Sequence, residues 1–186
     1  MAIILTKSIS EVQTLQATQK ADNIIIRSAK LEDVEILGEL WLYQRRFHEQ
    51  LDDIYVTIPM AHQKWQEQFK SYLNQFNHCI LVAEDASSVN QQIVGYVHGS
   101  FHPWPVSPYQ FYGSLNTIAI VEEAQNQGIG KKLVRKLFEW FKEHQIQHVS
   151  LHVDYRNQKA LRLYRSLGFR SYQQRLMLDL RQLALK

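Results

Sequence analysis

Thr117-Ile118-Ala119-Ile120-Val121-Glu122-Glu123-Ala124-Gln125-Asn126-Gln127-Gly128-Ile129-Gly130-Lys131-Lys132-Leu133 is the stretch that decides the fold of this chain. An apolar strand runs into a turn with two glycines, and the turn opens a helix. The helix is expected to continue to about His144. Ile129, Leu133, Leu137 and Phe141 recur every four residues, and Val134 and Phe138 widen the apolar stripe. Main-chain N–H groups at a helix start have no partner inside the helix, so they point outward and bind phosphate oxygens. Glycine in such a turn lets the backbone approach a ligand with no Cβ in the way. Lys131 and Lys132 oppose the helix dipole, a cost that makes sense beside a bound anion. Alone, the stretch fits an anion site or simply a tight helix start, and nothing finer. It lacks the Gly-Lys-Ser/Thr of a nucleotide P-loop, and it lacks the third glycine and ribose-binding acid of a dinucleotide fingerprint.

The pattern upstream is a hairpin. His78 to Glu84 reads as a buried strand, Asp85 to Gln91 as a polar turn, and Ile93 to Phe101 as a second strand. His102-Pro103-Trp104-Pro105-Val106-Ser107-Pro108 holds three of the four prolines and must be an irregular loop. A third strand covers about Phe111 to Val121. Further upstream, Asn23 to Arg27 is a short strand. A helix opens at Lys30-Leu31-Glu32-Asp33 with Ile36, Leu37, Leu40 and Trp41 at helical spacing, and another follows Pro59 with Trp65, Phe69, Tyr72 and Leu73 on one face. Residues 1–22 read as an N-terminal extension, with Ser8 and Glu11 as a capping box, and residues 23–186 as the domain. Downstream come a strand from His148 to Val153, a helix from Asn157 to Leu167, and a closing strand from about Ser171 to Leu180. This order gives a mixed-sheet α/β or α+β domain.

The downstream helix carries the second constellation. Asn157 is a fitting N-cap, and Gly168 a fitting C′ residue with Phe169 packing back on the last turn. Ala160 and Tyr164 lie four apart on one face. A small residue one turn from a phenol leaves room for a slender chain to run past and reach the hydroxyl. Gln125, Gly128 and Gly130, then Asn157, Ala160, Tyr164, Gly168 and Phe169, stand in the order and at the separation seen in one family. From roughly residue 24 to 180 the chain resembles the GNAT superfamily of N-acetyltransferases, most densely from Leu115 to Phe169.

The resemblance implies a mixed sheet splayed open after the Leu115–Val121 strand, with acetyl-CoA lying in the gap as cosubstrate. It implies that main-chain groups of Ile118, Ala119 and Ile120 bind the pantetheine and orient the thioester carbonyl. The backbone of Gln125, Asn126, Gln127, Gly128, Ile129, Gly130 and Lys131 would hold the pyrophosphate, Asn157 would touch the pantetheine arm, and Tyr164 would sit beside the sulfur. The reaction expected is direct attack by a primary amine of a small molecule or peptide, with no acyl-enzyme. Tyr164 would protonate the leaving thiolate, and a strand N–H such as that of Ile120 would meet the developing oxyanion. A non-catalytic acyl-CoA-binding module and an enzyme for longer acyl-CoA stay open as alternatives. The base is not evident. Many members of the family carry a carboxylate in the first part of this strand, where the chain has Asn116 and Thr117, and neither can act as a base. His98, His152 or a loop carboxylate reached through water are the remaining candidates.

Composition sets the outer limits. The chain has 186 residues, enough for one domain, and a net charge of +3 suits an anionic ligand without giving the clustered basic face of a nucleic-acid-binding protein. One cysteine, Cys79, excludes an intrachain disulfide; it reads as a small buried residue. With no apolar stretch long enough to span a bilayer, the expectation is a soluble cytoplasmic protein with no membrane or nucleic-acid partner. No metal site is expected, since His144, His148 and His152, like His98 and His102, recur every four residues where no continuous helix is placed. Acceptor selection is expected from Tyr43, Phe47, His48, Asp52 and Asp53, and from Trp104, Pro105 and Tyr109 of the proline-rich loop. A homodimer stays open.

Overall fold

β-branched and aromatic residues alternate through the middle of the chain, and there the computed structural model, which describes residues 23–88 and 91–182, forms its longest strands. The chain divides into two compact units, Met1–His152 and Val153–Lys186. The expected extension, residues 1–22, lies outside the described residues.

In the first unit five strands form one sheet in the order β1-β2-β3-β4-β5. They are β1 (Ile24–Ser28), β2 (His78–Asp85), β3 (Gln92–Pro103), β4 (Phe111–Ile120) and β5 (Val149–Leu151). The first four run antiparallel to their neighbours, and β5 runs parallel to β4, so the sheet is mixed as expected. Among the described residues three helices flank it: α1 (Val34–Glu49), α2 (Ala61–Tyr72) and α3 (Ile129–Glu143). Residues 31–33, expected to open the first helix, form a tighter 3-10 turn instead. The Asp33 carboxylate accepts from the Lys30 N–H at 2.7 Å and from both terminal nitrogens of Arg27, which ties the turn back to β1.

The strand period sorts the side chains into two layers. On one face Ile80, Val82, Tyr96 and Ala119 pack with Val34, Leu37 and Leu40 of α1 and Phe69 of α2. On the other, Leu133, Leu137 and Phe141 of α3 are buried on the spacing read from the sequence. Among the described residues no helix is long and apolar enough to cross a membrane.

Two irregularities in β4 matter for the site. Against β3, Thr117 pairs with His98 and Leu115 with Gly99, so Asn116 is an inserted residue, a β-bulge. Against β5, pairing covers only Gly113, Ser114 and Leu115. From Asn116 to Ile120 strand β4 continues with no strand on that side among the described residues, so the sheet opens beside this strand, as the family resemblance implied.

The second unit contains helix α4 (Gln158–Ser166) and a 3-10 turn at Leu180–Gln182. The expected closing strand from Ser171 to Leu180 does not form. Residues 171–179 have no regular structure, and Tyr172, Leu176, Met177 and Leu178 are exposed. Alternation describes which side chains would share a face, whereas a strand exists only through its ladder with a neighbour.

Candidate functional site

Strand β4 presents one open edge. The N–H of Val121 donates to the Val94 carbonyl at 2.9 Å, so positions 119 and 121 turn their main-chain groups toward β3. In an antiparallel ladder the intervening residues turn theirs the other way. Ile118 and Ile120 therefore direct N–H and C=O to the edge that β5 does not reach. Their carbonyls are already satisfied. Gln44 of α1 donates its side-chain amide to the Ile118 carbonyl at 3.2 Å, and Gln125 donates to that of Ile120 at 2.8 Å. The edge is thereby left with donors: two N–H groups one strand repeat apart, with the Ala119 side chain between them buried in the core.

Beyond β4 the chain makes a 3-10 turn at Glu122–Ala124 and enters the glycine turn. Asn126 and Gly128 adopt left-handed backbone angles, φ 62° and 81°. A side chain at 128 would meet nothing within 4 Å, so glycine serves the backbone angle there and not the packing. No side chain caps α3, and the first N–H bonded into the helix is that of Lys132, to the Gly128 carbonyl at 3.1 Å. The N–H groups of Ile129, Gly130 and Lys131 precede that ladder and carry the positive end of the helix dipole. Donors in this number suit pyrophosphate oxygens.

In the second unit Asn157 caps α4, its Oδ1 accepting from the Ala160 N–H at 3.0 Å. The far end closes with the Phe169 N–H donating to Tyr164 and that of Gly168 to Arg165, both at 3.1 Å, with Gly168 at φ 95°. This is the glycine-terminated Schellman arrangement expected from Gly168-Phe169. The rings of Tyr164 and Phe169 meet edge to face, 5.8 Å apart. Tyr164 is buried, and burial pushes its phenol up to about 12, so the hydroxyl keeps its proton across the physiological range.

A family model described as the acetyltransferase (GNAT) family matches residues 37–169, which span β4, the glycine turn and α4. The chain belongs to that family. An uncharacterized N-acetyltransferase of Bacillus subtilis (strain 168), YobR, is 36% identical over 64 residues, 34% of this chain and 26% of that protein. The mycothiol acetyltransferase of Renibacterium salmoninarum is 32% identical over 78 residues, 42% of this chain and 23% of that enzyme. The chain thus matches about a quarter of the length of these two curated relatives. Solved structures share the fold. A tetramutant of a Bacillus halodurans protein superposes with a TM-score of 0.73 at 22% identity, covering 83% of this chain and 99% of that one. A predicted acetyltransferase with acetyl-CoA from Clostridium acetobutylicum gives 0.64 at 18%, covering 87% and 99%. An aminoglycoside antibiotic 6'-N-acetyltransferase from Acinetobacter baumannii gives 0.66 at 15%, covering 84% and 97%.

This GNAT protein also holds a polar cluster that was not assembled from its sequence. His78 Nδ1 and His98 Nε2 lie 2.9 Å apart across β2 and β3. Asn116 donates its side-chain amide to Ser100 Oγ at 2.8 Å and lies 3.4 Å from His98 Nε2. Ser100 Oγ sits 2.9 Å from His102 Nε2. Burial holds His98 down at about 3, with the neighbouring His78 adding to the effect, and burial lowers His78 as well, helped by His102. Both imidazoles are therefore neutral near pH 7. The signal was present as His98-x-Ser100-x-His102, a polar row at strand spacing opposite Val97, Gly99 and Phe101. Residues four apart share a face in a strand as well as in a helix.

The acceptor candidates fall in several places. Asp52 accepts from the Ile54 N–H at 3.1 Å and so caps a 3-10 turn, a structural use for one member of the acidic pair. Trp104 and Tyr109 face each other at 6.3 Å, and Tyr109 lies 4.3 Å from His148. His144 ends α3, while His148 and His152 flank β5. Cys79 is half-buried, its thiol pushed up to about 12 chiefly by burial.

Proposed function

We propose that this chain transfers the acetyl group of acetyl-CoA directly to a primary amine of a small molecule or peptide. The observation that carries the reading is the open β4 edge, where Gln44 and Gln125 occupy the carbonyls of Ile118 and Ile120 and leave their N–H groups as donors. When bound, acetyl-CoA supplies an activated carbonyl and a thiol leaving group. The N–H groups of Ile118 and Ile120 receive the acyl and pantetheine oxygens, and Ile120 N–H is assigned to the oxygen that gains charge. The uncapped amides at Ile129, Gly130 and Lys131, with the Gln125–Gly128 turn ahead of them, hold the phosphates. Asn157 has its Oδ1 committed to the cap, so its Nδ2 is the atom available to an amide of the pantetheine arm. Tyr164 Oη holds the proton that the departing sulfur takes. Fixing both reactants supplies much of the rate, up to about 7–11 kcal/mol in well-oriented systems.

The test is thiol release from acetyl-CoA with glycinamide, benzylamine, spermidine and kanamycin. Kanamycin enters the panel because structural neighbours include aminoglycoside acetyltransferases. Tyr164→Phe should lower kcat about hundredfold or more, the scale of general acid catalysis, while CoA still binds. No release with any amine despite tight CoA binding would sink the enzyme reading and leave an acyl-CoA-binding module.

A further inference from the structure

Asn116 is the first β4 residue past the last pair with β5, Leu115 with Leu151, and it is the residue inserted by the bulge against β3. It stands two positions before Ile118, about 6.6 Å along the strand, where the donor edge begins. The residue is exposed, yet its amide group is not free to turn. One Nδ2 proton goes to Ser100 Oγ, which holds Nδ2 on the inner side, 3.4 Å from His98 Nε2. Ser100 is fully buried and, accepting from Asn116, has its own proton for His102 Nε2. Behind His98, His78 shares a proton with it, and the Tyr72 ring stacks on His78 at 4.1 Å, closing the cluster from α2. With Nδ2 held inward by Ser100, planar amide geometry puts Oδ1 on the other arm of the group, away from Ser100.

We propose that Asn116 Oδ1 is the atom that receives the incoming amine: it accepts one N–H of the acceptor and turns the nitrogen lone pair toward the open edge at Ile118. This assignment rests on the acetyl-transfer reading above. The groups facing Asn116 and its cradle are His78 from β2, His98 and His102 from β3, Tyr72 from α2 and, beside His102, Tyr112 of β4. Among the described residues no carboxylate pairs with any of these imidazoles. An amide oxygen orients a neutral amine by accepting its N–H, and unlike a carboxylate it does not take the proton. The acceptor therefore reacts as its free base. Its nitrogen forms the new N–C bond, the C–S bond breaks, the sulfur takes the Tyr164 proton, and the proton lost by nitrogen goes to water, from which the phenolate is reprotonated.

The experiment is the pH dependence of kcat/KM for thiol release, with the four panel amines and the full chain. In the wild type the rising limb should move with the basicity of each amine. Asn116→Ala should lower kcat/KM for the amine about tenfold, the loss of one oriented hydrogen bond, with the KM for acetyl-CoA unchanged, which also reports an intact fold. Asn116→Asp, close in size, installs a carboxylate and should bring a rising limb common to all amines. A limb common to all amines in the wild type, an unchanged amine kcat/KM in Asn116→Ala, or an Asn116→Asp profile like the wild type overturns the assignment and leaves acetyl transfer standing. No thiol release with any of the four overturns acetyl transfer, and this assignment with it.

Discussion

Acidification should destabilise this protein through one buried side chain, His98. It is 5% exposed, enclosed by the rings of Phe69 and Tyr72, and paired with a second imidazole. Burial, then the nearby His78, lowers it from 6.5 to about 3. Between those values the unfolded chain binds a proton that the folded chain refuses. Stability is therefore complete above about pH 6.5 and falls as the pH drops toward 3, by up to about 1.4 kcal/mol per pH unit. From about pH 6.5 to about pH 4.5 the loss is roughly 2 kcal/mol, a large fraction of the 5–15 kcal/mol typical of a domain.

Urea unfolding followed by tryptophan fluorescence at these two pH values measures the loss. His98→Gln serves as the control, because it keeps hydrogen-bonding groups at the site and cannot titrate. Carboxylates such as Asp33 contribute an acid response common to both proteins. The wild type should lose about 2 kcal/mol more than the variant over the interval, less whatever His78 regains when its partner no longer repels a proton. Parallel losses in the two proteins, or a His98 imidazole that titrates near pH 6.5 by NMR, would refute the reasoning.

Three further outcomes follow from single positions. Gly128→Ala forces a side chain into a left-handed angle with no steric relief to find, and should cost about 1 kcal/mol in urea unfolding along with weaker CoA binding by calorimetry. Gly168→Ala, at the other left-handed glycine, should cost a similar amount in unfolding without touching CoA affinity. Asn157→Ala should lose about 1 kcal/mol of cap stability; Asn157→Ser retains a cap, so a fall in CoA affinity in the serine variant isolates the role of Nδ2 from that of Oδ1.

The sequence disclosed the parts of this fold governed by local rules. The four-residue spacing of Ile129, Leu133, Leu137 and Phe141 is a property of one helix, and all four are buried. Asn157 and Gly168 act within a turn of their own positions, and both close α4 as their chemistry dictates. What stayed hidden depends on register between distant segments. His78, His98 and Asn116 meet only because β2, β3 and β4 align at one level, and the bulge that delivers Asn116 has no signature in residue type. The stretch from 171 to 180 shows the opposite case, for its side-chain pattern suits a strand while the ladder a strand needs is not formed.

Strand β4 shows why a single bulge has so much influence. An unbroken strand divides its residues by parity: one set faces the α1 and α2 core, the other faces α3, and the main-chain groups alternate between its two neighbours. From Thr117 to Ile120 that rule holds, with Ala119 buried in the α1 and α2 core and Ile118 and Ile120 offering N–H groups to the open edge. Regular pairing through residue 116 would place its side chain opposite Gly99, whose own missing side chain leaves space filled by Leu137 of α3. The inserted residue breaks parity at that point, and Asn116 instead shares a face with His98 and Ser100. The polar end of that face thus comes to lie at the mouth of the opening in the sheet. A deletion at 116 that restored regular pairing would leave the donor edge at Ile118 and Ile120 in place and remove the group assigned to the acceptor. Loss of turnover with CoA affinity retained is the expected signature, and loss of both would show that the bulge also sets the donor edge.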